Sequence, residues 1–119
     1  MQLRCLIVDD NASFLDAAGT LLERQGLAIA GVASNGDDAL RIAQEQRPDV
    51  VLLDIELGEE SGFDVARRLA SANGGTDLTV ILISTHAESE FADLIEKAPA
   101  AGFVPKSRLS ADAIRRLVA

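Results

Sequence analysis

A chain of 119 residues is the length of one ordinary domain and is long enough to bury a core without disulfides or metals as staples. Hydrophobic residues make up 48% and charged residues 25%, which excludes a disordered tail or a collagenous chain. The formal net charge of −8 argues against direct binding of nucleic acid or an anionic membrane by this domain, and favours a partner with a basic surface.

In chain order, Leu3 to Val8 is a short apolar run cut off by Asp9-Asp10, which reads as a buried strand. It is far too short for a signal segment or a membrane span. Cys5, the single cysteine, cannot form an intrachain disulfide and reads as a small buried hydrophobe. A reduced, cytoplasmic protein is the expectation. Asn11 is a good N-cap, and Phe14, Leu15, Ala18, Leu21 and Leu22 fall at helical spacing until Gly26 stops them. Leu27 to Val32 is β-prone, Asn35-Gly36 breaks the chain, and Ala39, Leu40, Ile42 and Ala43 suit a short helix ending near Pro48.

The alternation then repeats. Val50 to Leu53 is an apolar run between Asp49 and Asp54, followed by a loop holding Gly58 and Gly62. Phe63, Val65, Ala66 and Leu69 make a helical stripe closed by Asn73-Gly74-Gly75, and Leu78 to Ile83 is another buried strand. Phe91, Leu94 and Ile95 mark a helix stopped by Pro99. Phe103-Val104 is a last strand, and Ile114, Leu117 and Val118 a last helix.

Five strands alternating with five helices predict right-handed βαβ units and a parallel sheet covered on both faces. The architecture that suits this length is α/β: a doubly wound, five-stranded sheet of order 2-1-3-4-5. A (β/α)₈ barrel would need about twice the chain. Ligands of such sheets sit beyond the carboxyl ends of the strands where the order reverses, here between the first and third.

The acids fall at that point. Asp9 and Asp10 end the first strand and Asp54 the third. Any one of them alone reads as an ordinary loop acid or helix cap. Three carboxylates at adjacent strand ends repel each other and call for a hard cation; Mg²⁺ fits, because it takes one or two carboxylates and keeps waters for a phosphate oxygen. Ser84, ending the fourth strand, and Lys106, following the fifth, point to the same edge. Nucleophilic carboxylate, cation, hydroxyl and ammonium together make a phosphoryl site.

Leu6-Ile7-Val8-Asp9-Asp10, Val51-Leu52-Leu53-Asp54-Ile55 with Gly62 downstream, Ile81-Leu82-Ile83-Ser84 and Gly102-Phe103-Val104-Pro105-Lys106 are the segments on which the chain resembles the receiver domains of bacterial two-component response regulators, over essentially all of residues 1–119. The resemblance implies a flavodoxin-like (βα)₅ receiver in which Asp54 accepts a phosphoryl group from the phosphohistidine of a sensor histidine kinase or phosphotransfer protein. It implies Mg²⁺ bound directly by Asp10, mainly through water by Asp9, and also by Asp54 and the backbone carbonyl of Glu56. Ser84 would hydrogen-bond the phosphoryl group and Lys106 would pair with it. Phe103 would turn inward as Ser84 moves, switching the face formed by the fourth helix, fifth strand and fifth helix toward a downstream protein target or a phosphorylation-dependent homodimer. Such a domain is no enzyme beyond promoting its own phosphorylation and dephosphorylation.

Several residues depart from the usual pattern of the family. Glu56 places an acid two residues past the acceptor, which bears on the lifetime of the phosphorylated state. Gly58 stands where many receivers carry proline, which suggests a less rigid loop. Ser107 replaces the proline after the lysine, so a cis peptide there is not expected, at a cost of about 3 kcal/mol. Phe103 lacks the hydroxyl of the more usual tyrosine. The run Phe103 to Ser107 resembles NarL-type receivers, which often precede a DNA-binding helix-turn-helix. The chain stops at its fifth helix, which points to a stand-alone receiver. The alternatives are a receiver fragment of a DNA-binding transcriptional regulator and a degenerate receiver acting only as a binding module. An aspartate-nucleophile phosphatase would want Asp-x-Asp on the first strand. A flavin carrier would want a Ser/Thr/Gly-rich phosphate loop and stacking aromatics, where this chain has Asp-Asp-Asn and neither Trp nor Tyr.

Overall fold

The run after Asp49 becomes the central strand β3 (Val50–Asp54), buried along its whole length in a computed structural model that describes residues 2–72 and 78–118. Its neighbours are β1 (Arg4–Val8), with Val8 level with Leu53, and β6 (Thr79–Ser84), with Ile83 level with Asp54. Outside these lie β2 (Ala28–Ala33) and β7 (Gly102–Pro105), all parallel. The order β2-β1-β3-β6-β7 is the predicted 2-1-3-4-5, because β4 (Glu56–Leu57) and β5 (Glu60–Ser61) form a separate antiparallel ribbon.

The strands read as unbroken apolar runs because successive residues serve two cores. Leu6, Val8, Val51, Leu53, Val80 and Leu82 pack toward one face, under α2 (Gly36–Gln46) and α3 (Gly62–Ala72). Cys5, Ile7, Val50, Leu52, Ile81 and Ile83 pack toward the other, under α1 (Ala12–Arg24) and α5 (Ala111–Val118). This period-2 division of side chains between two faces is what a crossover-connected parallel sheet demands.

Local chemistry sets the helix ends. Asn11 Oδ1 accepts the Phe14 N–H at 3.1 Å and so caps α1; Gly26, at φ +97, takes the left-handed turn past its end. Asn35-Gly36 is not only a break: Asn35 Oδ1 accepts the Asp38 N–H at 2.8 Å and Gly36 opens α2. Pro48 disfavours a right-handed Arg47, which adopts φ +48 and closes that helix. The proposed stop of α3 at Asn73-Gly74-Gly75 lies outside the described residues. The predicted helix around Phe91 to Ile95 is short: α4 (Ala92–Lys97) follows a 3₁₀ turn at Glu88–Glu90 and buries no residue fully.

The segment read as a glycine-containing loop is the β4–β5 ribbon. Gly58 turns it at φ +59, a conformation a proline, locked near −65°, could not adopt. All described peptide bonds are trans.

Candidate functional site

Four strand ends bring the site together. β1 delivers Asp9 and Asp10, β3 ends on Asp54, β6 ends on Ser84, and Ser84 pairs with Pro105 so that Lys106 follows at once. Asp9, Asp10, Asn11, Asp54, Glu56, Gly58, Ser84, Thr85 and Lys106 line one cavity of about 240 Å³. Carboxylate oxygens of Asp9, Asp10 and Asp54 lie within 4.8 Å of one another, the one cluster of potential metal ligands of this size among the described residues. Every residue singled out for Mg²⁺ or the phosphoryl group therefore meets at this edge. Phe103 stands apart on β7, half-buried and level with Leu82. It packs with Leu82 on the sheet face that Ser84 shares at the end of β6.

Asp9 is fully buried, Asp54 nearly so, and Asp10 exposed. One oxygen of Asp9 accepts the Asn11 N–H at 2.9 Å, and one of Asp54 accepts the Glu56 N–H at 3.1 Å. Their other oxygens face Lys106 Nζ, at 2.5 Å for Asp9 and 3.3 Å for Asp54. The contact to Asp9 Oδ2 is a close ion pair to a carboxylate that is itself fully buried. Burial pushes the Asp54 carboxyl above the usual carboxylate range, with the charge of Asp9 adding to it. The Glu56 N–H and Lys106 oppose this without cancelling it. Lys106 loses some basicity to burial, yet the two carboxylates outweigh that and hold it above its ordinary value. One ammonium, paired with Asp9 and Asp54, thus stands against a cluster of three carboxylates, and the remaining negative charge among hard oxygen donors is what a small divalent cation fits.

Gly62 supports the site from behind. Its N–H donates to the Ile55 carbonyl at 2.8 Å, and a Cβ there would lie 2.1 Å from the Asp54 carbonyl oxygen. Only glycine lets α3 start this close to the strand that presents Asp54.

Two side chains at the site were not legible as such. His86 donates its backbone N–H to Ser84 Oγ at 2.9 Å, and its ring lies 3.0 Å from both Glu56 and Glu90. It is the chain's one histidine, two residues past Ser84, and that position was its only signal. Phe14 read as core. It is half-buried, and its ring lies 4.3 Å below Lys106 Nζ.

The sequence profile of the response regulator receiver domain matches residues 5–118. The chain is 37% identical over 106 residues to BvgA of Bordetella pertussis, covering 89% of this chain and 50% of that protein. It is 30% identical over 105 residues to the response regulator GacA of Pseudomonas aeruginosa, covering 87% and 48%. It therefore spans about half the length of these curated relatives. Among solved structures, a NarL receiver domain from Mycobacterium tuberculosis superposes with a TM-score of 0.86 at 26% identity, covering 98% of this chain and 96% of that one. Profile, relatives, strand order and the acidic edge agree: the chain belongs to the receiver domain family of two-component response regulators.

Proposed function

We propose that residues 1–119 act as one phosphoacceptor unit in which Asp54 takes a phosphoryl group from a histidine kinase or phosphotransfer protein. The observation that carries this reading is the meeting of Asp9, Asp10, Asp54, Ser84 and Lys106 in one cavity at the carboxyl edge of the sheet. In the transfer, an Asp54 oxygen attacks phosphorus, the P–O bond forms as the P–N bond breaks, and the released imidazole nitrogen takes a proton from solvent. Lys106 already lies 3.3 Å from Asp54 and balances charge on the equatorial oxygens, and the Ser84 hydroxyl donates to one of them. Asp9, Asp10, Asp54 and the Glu56 carbonyl would hold Mg²⁺, which when bound supplies the positive charge that lets a phosphoryl anion approach this acidic edge.

The same reading makes Phe103 the responding element, on the sheet face it shares with Leu82, and α4, β7 and α5 the surface presented to a protein target. The receiver family to which the chain belongs supports a cytoplasmic site of action. No helix among the described residues is long and apolar enough to cross a membrane. The relatives' greater length favours a receiver joined to an output domain over a stand-alone one.

The test is incubation with phosphoramidate and Mg²⁺, read by intact-protein mass. One added phosphoryl group, absent in Asp54→Ala, is expected. Undiminished gain by that variant would sink the assignment. Thermal melts carry the metal half of the reading: millimolar Mg²⁺ raises the wild-type melting temperature and leaves Asp10→Asn nearly unmoved. Indifference of the wild type would refute the site.

A further inference from the structure

We infer that Phe14 is a positioning residue for Lys106, its ring face holding the ammonium at the mouth of the acidic cavity where the phosphoryl group of the proposed reaction arrives. The inference rests on the reading of Asp54 as phosphoacceptor for its consequence, though not for its geometry.

The sequence places Phe14 there for local reasons. Asn11 caps α1 and binds the Phe14 N–H at 3.1 Å, which fixes the first turn. A side chain in that turn tilts back toward the helix N-terminus, and so toward the edge of the sheet that carries the acids. Leu15, Ala18 and Leu22 continue into the core, while Phe14 stays at its border, half-buried. Lys106, just past β7, reaches over it, with Nζ 4.3 Å from the ring centroid. A cation within about 6 Å of a ring face is attracted by the quadrupole, more strongly when water is kept away. Here it is kept away, since the Lys106 side chain is only 14% exposed.

Lysine is a compact, strongly hydrated charge on a flexible stem. At this site the ammonium is held by Asp9 at 2.5 Å, Asp54 at 3.3 Å and the ring. The two carboxylates are the groups whose environment changes when Asp54 is phosphorylated and a cation binds. The ring is the one of the three contacts that carries no formal charge and takes no part in either event. It therefore keeps the ammonium desolvated and near Asp54 in both states, where its attraction to the phosphoryl oxygens is least screened. A leucine would fill the same border of the core but offer no negative face.

The experiment replaces Phe14 alone with phenylalanines bearing one, two and three ring fluorines, which weaken the face's attraction for cations stepwise at nearly constant shape. Alongside run Phe14→Tyr and Phe14→Leu. Two quantities are read in the full chain: the rate of Asp54 phosphorylation by phosphoramidate, and the proton shifts of the Lys106 εCH₂. The expected rate falls with each fluorine, Phe14→Leu is about fivefold slower, and Phe14→Tyr retains the wild-type rate. The εCH₂ protons are shifted upfield by the ring in the wild type and lose that shift in Phe14→Leu. A flat rate across the fluorinated series overturns the inference, even if Phe14→Leu is slow through poor packing. So does a wild-type εCH₂ signal without ring-current shift. If the wild type gains no phosphoryl group at all, the phosphoacceptor reading fails instead, and the proton shifts still decide the role of Phe14.

Discussion

Adding one methyl group at Gly62 should cost this domain more than most surface changes, and it should do so through the strand that presents Asp54. A Cβ at position 62 would lie 2.1 Å from the Asp54 carbonyl oxygen and 2.5 Å from Ile55 Cα, the first roughly 1.3 Å short of the 3.4 Å at which ordinary contact begins. Both obstructing atoms are backbone, so no side chain can rotate away. Relief requires α3 to move off β3, stretching the Gly62 N–H to Ile55 carbonyl bond, now 2.8 Å, or β3 to shift against the Ile55 N–H to Ile83 carbonyl bond, now 3.1 Å. Overpacking of this kind costs about 1–3 kcal/mol and a weakened hydrogen bond about 1 kcal/mol, while the lower chain entropy of unfolded alanine returns about 0.5–1 kcal/mol. Gly62→Ala should therefore lose about 1–3.5 kcal/mol, or about 4–14 °C in melting temperature at about 4 °C per kcal/mol. Urea titration followed by circular dichroism measures this in a chain without Trp or Tyr. Gly58→Ala is the contrast: its Cβ would stand 3.6 Å from Asp10 Oδ2, in ordinary contact, leaving only the left-handed strain of about 1–2 kcal/mol. A Gly62→Ala variant within about 0.5 kcal/mol of wild type would refute the close-approach argument.

Other outcomes follow from the same contacts. Asn35→Ala removes the cap of α2 and should cost about 1 kcal/mol by urea titration; no loss would mean the cap contributes nothing. Asp54 has a folded pKa raised above its unfolded value near 3.9, so the stability it contributes is present below that value and is lost as pH rises through the folded pKa. In chelator, Asp54→Asn should thus melt above wild type at neutral pH, with the difference shrinking on acidification, and a lower melting temperature at pH 7 would contradict it. Burial, and secondarily the charge of Asp49, push the Cys5 thiol up to about 12, so thiol reagents at neutral pH should label it only as fast as the chain unfolds. Labelling of the folded protein at the rate of a free thiol would show that β1 is not closed as described.

The strands, the helices that cover them and the order of the sheet were readable from the sequence, because a strand buried on both faces must be apolar at every position. Leu6 to Val8, Val50 to Leu53 and Ile81 to Ile83 are such runs, and every side chain in them is buried. The acidic ends were readable too, since Asp9, Asp10, Asp54, Ser84 and Lys106 each interrupt or follow an apolar run at a strand's carboxyl end. The ribbon at Glu56–Leu57 and Glu60–Ser61 was not, because two-residue strands are too short to show a period and depend on Gly58 turning at positive φ. The weak α4 likewise has one short apolar pair, Leu94 and Ile95, and no buried residue to fix its limits.

What the sequence by itself determined is which residue types stand at the edge of the sheet. What only the tertiary structure decided is how they touch. Lys106 is 52 residues from Asp54 and farther still from Asp9, and strand register together with side-chain packing brings its ammonium to 3.3 Å and 2.5 Å of them. The bridging of Glu56 and Glu90 by His86, and the placing of the Phe14 ring under Lys106, follow from side chains on different elements meeting at the sheet edge. No periodicity records such meetings. Periodicity reports which face of an element is buried, whereas the distance between two charged groups is set by packing to within a fraction of an ångström, and that distance fixes what the charges can do.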